Sequence, residues 1–182
     1  MALLKEEQDF KLKKVTLEEF DNLPPDERHY YEFVDDIVLM TPRPGILHQR
    51  ILGEFFAQLH TYFKDKPCRI LSEVEIKLKK DIFIPDLSIL CDPDKFTDQR
   101  YEGAPTITIE ILSPRTRGHD LITKLNKYYS GGVKEYWIVE PKSQTVTIHH
   151  FETGDTDLYT CDETLTTPLF EGLSIDLKTI FD

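Results

Sequence analysis

The sequence predicts an α+β chain (mixed α/β), a mixed β-sheet flanked by helices. Three observations predict it. Apolar residues fall at helical spacing from Leu47 through Ile51, Leu52, Phe55, Phe56, Leu59 and Tyr62 to Phe63. Several short runs instead alternate with period two, such as Val74, Ile76 and Leu78 against Glu73, Glu75 and Lys77. Helical and strand patterns then follow one another along the chain without repeats or low-complexity tracts, an order suited to helices packed on a sheet.

The elements follow in order. "VTLEEF" is a capping box: Thr16 is the N-cap, Glu19 sits at N3, and Val15 and Phe20 are placed as a hydrophobic staple. The short helix ends at the prolines of "NLPPDE". "YYEFVDDIVLMT" reads as two strands around a tight turn at Asp35-Asp36. "TPRPG" breaks the chain before the long amphipathic helix. "CRILSEVEIKL", "IFIPDLSIL" and "APTITIEILS" each read as a strand. "TRGHDLITKLNKYYSGG" is helical, with Leu121, Leu125, Tyr128 and Tyr129 on one face and Gly131 as C-cap. "VKEYWIVEP" and "QTVTIHHFE" are strands joined by a turn at Pro141 to Ser143. The acidic tail is expected to add a strand or two and a terminal helical turn.

The 182 residues suit one domain, 1–182, with a core over about 30–151 between an N-terminal helix and an acidic C-terminal extension. No run of about 18 apolar residues occurs, and "MALLKEEQDFKLKK" lacks an apolar h-region, so neither a membrane helix nor a secretory signal is expected. Cys68, Cys91 and Cys161 are odd in number and widely spaced. They read as reduced, partly buried thiols of a cytoplasmic protein. The net charge of −11 argues against a general nucleic-acid binder. Ser113 to Lys134, however, holds five basic residues (Arg115, Arg117, Lys124, Lys127, Lys134) against Asp120 alone. That is either one anion-facing segment or a solvated helix face.

Two acids stand inside apolar strand sequence. Asp86 follows Pro85 in "FIPDLSIL", and burial of an unpaired carboxylate is costly. It is therefore at a strand end in water, paired, or holding a metal. Glu110 in "ITIEILS" shares a face with Thr108 and Leu112, while Ile107, Ile109 and Ile111 take the other. Consecutive strands are usually neighbours, so these carboxylates can converge. Converging carboxylates need a cation, and Mg²⁺, which takes few protein oxygens and keeps water and phosphate, suits such a pair. Lys124 lies at the edge of its helix's apolar stripe, with a stem that can cover the sheet and an ammonium that can reach its polar end.

The residues around this pair resemble the Uma family of putative restriction endonucleases, within the PD-(D/E)XK nuclease-like superfamily. The resemblance runs from about Tyr30 to Phe151. It rests on Asp86 in P-D, Glu110 in E-I-L-S, and "SPRTRGHDLITKLNKYYSGGVKEYWIVEP". It implies a restriction-endonuclease-like core of mixed sheet and helices, with Asp86, Glu110 and the Ile111 carbonyl on Mg²⁺ (or Mn²⁺). The superfamily's lysine position, two residues after the second acid, is here Leu112. The resemblance then points to Lys124 on the following helix, with Lys127 as the alternative. It also raises Glu32, which spacing alone reads as a surface residue, to a metal-side or water-side acid.

Of the remaining polar residues, His48 and Arg50 either face phosphate or form an ordinary first helical turn. Asp120 with Lys124 reads as an i,i+4 helix pair beside His119. His149 and His150 read as structural, and Trp137 as core. The expected function is a metal-dependent endonuclease acting on nucleic acid, with DNA favoured, in which Asp86, Glu110, Lys124 and Glu32 are catalytic. Arg115, Arg117 and Lys127 meet the phosphates, and a homodimer is expected for cutting two strands. Two rivals stand beside it: a catalytically silent nucleic-acid-binding or interaction protein on the same fold, and a hydrolase of small phosphoesters.

Overall fold

A computed structural model describes residues 13–114 and 117–182. The chain opens with α1 (Leu17–Asp21), whose capping box is formed: Thr16 Oγ1 accepts from the Glu19 N–H at 3.1 Å, and Glu19 Oε2 accepts from the Thr16 N–H at 2.7 Å. Strands β1 (His29–Val34) and β2 (Ile37–Pro42) make a hairpin in which Val34 pairs with Ile37. Asp35 and Asp36 both take positive φ, 53° and 68°, as a two-residue primed turn requires. Helix α2 (Ile46–Phe63) follows, burying Ile51, Leu52, Phe55, Leu59 and Phe63; Leu47, expected on that stripe, is exposed.

Two stretches that read as single strands are each broken in two. "CRILSEVEIKL" divides at Glu73 (φ 52°) into β3 (Arg69–Ser72) and β4 (Ile76–Leu78). "DIFIPDLSIL" divides at Ile84-Pro85-Asp86 into β5 (Asp81–Phe83) and β6 (Leu87–Leu90). In both cases the halves lie in different sheets. Beyond come β7 (Tyr101–Glu102), β8 (Ile107–Ile111), α3 (Leu125–Gly131), β9 (Glu135–Glu140), β10 (Thr145–His150), β11 (Thr156–Thr160), β12 (Thr164–Thr166), β13 (Ser174–Asp176) and α4 (Leu177–Phe181).

One sheet has the order β2-β1-β5-β4-β7 and another β11-β10-β9-β8-β6-β3, with β12 and β13 as a separate pair. The six-stranded sheet is antiparallel except for β8 beside β9, which makes it mixed. One of its faces packs Ile107, Ile109, Ile111, Trp137 and Val139 against Ile51, Phe55 and Leu59 of α2 and Leu177 and Ile180 of α4. On the other face Leu112, Tyr136 and Ile138 meet Tyr128 of α3 and Val34, Leu78 and Phe83 of the five-stranded sheet. Helix α3 closes at Gly132 (φ 93°), one residue beyond the expected cap. Gly131 serves close packing instead, since a Cβ there would lie 2.1 Å from a Leu78 methyl.

The cysteine expectation is corrected. Cys68 and Cys91 form a disulfide across the β3–β6 pair, and Cys161 alone is a free, half-buried thiol. The two cysteines are 23 residues apart in sequence and become neighbours only once β3 and β6 pair. Among the described residues, no helix is long and apolar enough to cross a membrane.

Candidate active site

The break between β5 and β6 explains the aspartate inside apolar sequence. At Ile84-Pro85-Asp86 the chain leaves one sheet for the other, so its backbone must find partners outside a ladder. The Ile84 N–H donates to Glu32 Oε1 at 2.9 Å, and Pro85 has no N–H to satisfy. Strands β6 and β8 pair with Leu87 opposite Ile109 and Ser88 opposite Thr108. One step further along that antiparallel register brings Asp86 opposite Glu110. Asp86 Oδ2 accepts from the Ile111 N–H at 2.7 Å and lies 3.0 Å from His48 Nε2, in the first turn of α2.

Glu110 is buried at the end of β8, where Glu110 Oε1 accepts from Lys124 Nζ at 2.8 Å and from the Tyr128 hydroxyl at 2.9 Å. Lys124 comes from a π-helical segment, His119–Lys124, that runs directly into α3. Its ammonium is buried among three carboxylates: Glu110, Glu32 Oε1 at 3.0 Å and Asp120 Oδ1 at 3.6 Å. On the far side of Glu32, His119 Nε2 lies 2.9 Å from Glu32 Oε2. Glu32 is only 1% exposed, which overturns the surface reading that its spacing suggests.

The electrostatics separate the two glutamates. Burial alone would raise Glu32, but Lys124, His119 and the Ile84 N–H outweigh it and hold its pKa down at about 2. Burial pushes Glu110 well above the ordinary carboxylate range; Lys124 opposes this, while Asp86, Asp120 and Glu32 add to it. Burial would strip Lys124 of its proton, yet Glu110, Glu32 and Asp120 reverse that and keep it an ammonium. His48 is likewise raised, because Asp86 outweighs its burial.

Asp86, Glu110, Asp120, Lys124, His48 and the Ile111 backbone open into one cleft of about 300 Å³, beneath Tyr30 and Arg43. Glu32 lies behind this lining, with both oxygens engaged by the Ile84 N–H, Lys124 and His119. It contacts the Lys124 ammonium and is not among the residues that line the cleft. Among the described residues, no group of three or more His, Cys, Asp or Glu side chains is arranged to hold a metal. The donor set still fits Mg²⁺ or Mn²⁺. Asp86 Oδ1 and Glu110 Oε2 carry no protein hydrogen bond among the described residues, and these cations need only one or two carboxylates when water and phosphate complete the shell.

The basic residues fare differently from expectation. Lys127 is not brought to the cleft: its Nζ lies 2.6 Å from Asp35 and 2.8 Å from Asp81, so its charge is neutralised within the molecule. Arg117 is ion-paired with Glu140 beside the cleft. Arg115 lies outside the described residues. His150 bridges Glu135 and Asp157, and His149 contacts Thr156, consistent with structural roles. Sequence reasoning gave no role in the site to Tyr30, Arg43 or Glu73, and took Asp120 for a helix pair. No local signal marked the first three, since they converge only through the fold.

The state of Glu32 predicts a pH dependence. Its folded pKa lies below the ordinary 4.5, so its stabilisation is complete above 4.5 and is lost as pH falls toward 2. Glu32→Gln should cost about 3 kcal/mol at pH 7. Urea unfolding of both proteins should show the difference shrinking through that acid window. A difference that stays constant from pH 7 to pH 3 would contradict the assignment.

Comparison with known proteins extends the picture. The chain is 25% identical over 79 residues to the uncharacterized protein slr1290 of Synechocystis sp. (strain ATCC 27184 / PCC 6803 / Kazusa), covering 43% of this chain. The match covers 42% of that relative's length. The fold is similar to the crystal structure of "a putative nuclease belonging to DUF820" from Anabaena variabilis ATCC 29413. The TM-score is 0.79 at 23% identity, over 92% of this chain and 97% of that one, a likeness of fold. The model of the family Uma2, described as "Putative restriction endonuclease", matches residues 17–178, which carry every side chain of the cleft, and the chain belongs to that family.

Proposed function

We propose that this protein is a metal-dependent endonuclease that hydrolyses phosphodiester bonds in nucleic acid, DNA being the favoured substrate. One observation carries the reading. Asp86 and Glu110 face each other across neighbouring strand ends, beside a buried lysine that its surroundings keep protonated, and all three open into one cleft.

Asp86 and Glu110, with the Ile111 carbonyl, would hold Mg²⁺ or Mn²⁺. A bound ion of this kind supplies Lewis-acid stabilisation of phosphoryl charge and lowers the pKa of water. The chain's own residues do the rest. The Lys124 ammonium reaches the cleft and donates to the attacking water or a non-bridging phosphate oxygen, where negative charge develops. Because Lys124 is held protonated, it orients and stabilises; it does not serve as the base. Glu32, Asp120 and Tyr128 fix the lysine–glutamate pair in one geometry before substrate arrives. Water attacks phosphorus and gives up a proton to bulk solvent as the bond to the leaving oxygen breaks, and that oxygen takes a proton from solvent. Arg43 at the rim offers a cation to a neighbouring phosphate. Cutting both strands of a duplex would use two such sites, one on each copy of a homodimer.

The test is cleavage by purified protein of a labelled single strand, a plasmid and a chromogenic small phosphodiester, each with Mg²⁺, Mn²⁺ or chelator. Nucleic acid cut only with metal is the expected result. Cleavage of the small ester alone would identify a phosphoester hydrolase. No metal-dependent cleavage of any substrate would leave a silent binding protein on this fold.

A further inference from the structure

Beside the catalytic cleft lies a second, larger groove of about 1100 Å³. The two share Gly45, His48, Ser113 and Pro114, so they form a continuous depression at one end of the six-stranded sheet. The floor and walls of the second groove are apolar: Ile46, Leu47, Leu112, Pro114 and Pro141. Ile46 is 92% exposed and Leu47 54% exposed, side by side in the first turn of α2, one residue before His48 and its contact with Asp86. An exposed isoleucine–leucine pair at the mouth of a charged site is unusual enough to suggest a ligand with apolar faces. The rim is basic. Lys142 is exposed and forms no ion pair among the described residues, and Arg117 balances Glu140.

An apolar slot with a cationic rim, joined to a phosphodiester site, matches the chemistry of one nucleotide: a flat apolar base and an anionic phosphate. We infer that this groove receives an unstacked nucleobase next to the scissile phosphate, which makes a single strand the preferred substrate. A base paired and stacked within a duplex cannot enter without being extruded, at a cost of roughly a few kcal/mol. The overall charge of −11 points the same way. Long duplexes are held chiefly by extended phosphate contacts, whereas a single strand can be gripped locally through its bases. The inference rests on the nuclease reading for the word "scissile", but the groove's affinity for a strand can be measured separately.

The experiment is fluorescence anisotropy of a short labelled single strand of mixed sequence and of the corresponding duplex, each with and without Mg²⁺. It compares wild type, the double variant Ile46→Ser/Leu47→Ser, and the control Met40→Ser. The substitutions are neutral, so a change reports apolar contact and not charge. Ile46 and Leu47 are exposed, and Met40, exposed to the same degree as Leu47, lies on β2 outside the groove. Wild type should bind the strand more tightly than the duplex. The double variant should bind the strand on the order of tenfold more weakly, and the control should not change. Unchanged strand affinity in the double variant, or a duplex bound as tightly as the strand, overturns the inference. So does a shift from dimer to monomer in sedimentation with strand affinity unchanged, which would make the groove a surface for a second copy. Cleavage is scored in the same samples after binding is read. Metal-dependent cleavage with unchanged strand affinity would leave the nuclease reading standing and overturn only the groove. Weakened strand affinity with no cleavage would do the reverse.

Discussion

Asp86→Asn is expected to lower metal-dependent cleavage by about a thousandfold or more while the protein remains folded. The substitution keeps the shape of the side chain and an oxygen that can accept from the Ile111 N–H, now 2.7 Å from Asp86 Oδ2. What it removes is the charge opposite Glu110. The lost charge affects two quantities that can be read separately. Affinity for Mg²⁺ or Mn²⁺, measured by calorimetry with a short strand present, should fall because one of two carboxylates is gone. Stability should fall by only about 1–2 kcal/mol, since the charge-assisted contacts to the Ile111 N–H and to His48 both become neutral ones while repulsion toward Glu110 is relieved. A variant that loses activity and also unfolds would say that Asp86 acts by holding the crossover between sheets. A folded variant with wild-type activity would sink the metal assignment. Between these, a folded, inactive protein with weakened metal affinity is the result that the geometry supports.

Much of this site could be read from the chain because its chemistry conflicts with its surroundings. Asp86 and Glu110 each interrupt apolar strand sequence, and consecutive strands tend to pair, so their approach followed from local pattern alone. Lys124 was found from helical phase, although a π-helical turn delivers it. The breaks at Glu73 and at Ile84 to Asp86 were hidden for a physical reason. Strand β5 and β6 residues on both sides of the break are fully buried, so apolar sequence continues through a change of sheet. Glu73 takes a positive φ without a glycine to announce it. Glu32 alternates with aromatics as an exposed hairpin acid would, and only its partners on α3's π-helical lead-in and at Ile84 reveal that it is buried. The Cys68–Cys91 bond depends on β3 pairing with β6, and an odd cysteine count gives no hint of that register. Likewise Lys127 looked free to meet phosphate until the fold set Asp35 and Asp81 against it.

The largest effect on stability should come from Lys124→Met, which keeps the aliphatic stem and deletes the ammonium. Glu110 at 2.8 Å, Glu32 at 3.0 Å and Asp120 at 3.6 Å would then be buried together without their shared cation. Removing one partner of a buried ion pair typically costs about 3–5 kcal/mol, and here three acids depend on one lysine. The loss should depend on pH in a definite direction. Without the ammonium, burial and mutual repulsion raise the carboxyl pKa values above those of the unfolded chain. Groups raised in this way favour the folded state below the unfolded pKa, and that advantage disappears as pH rises. Urea unfolding should therefore show the variant furthest from wild type near pH 8 and closer to it near pH 5. Millimolar Mg²⁺ should recover part of the deficit at the higher pH, because an ion bound only by the folded state stabilises it by mass action. A deficit of less than about 1 kcal/mol, or one that is the same at both pH values, would mean that the three acids are not held by this lysine. Recovery by Mg²⁺ in Lys124→Met that disappears in Asp86→Asn/Lys124→Met would locate the cation at Asp86 without any substrate or any measurement of cleavage.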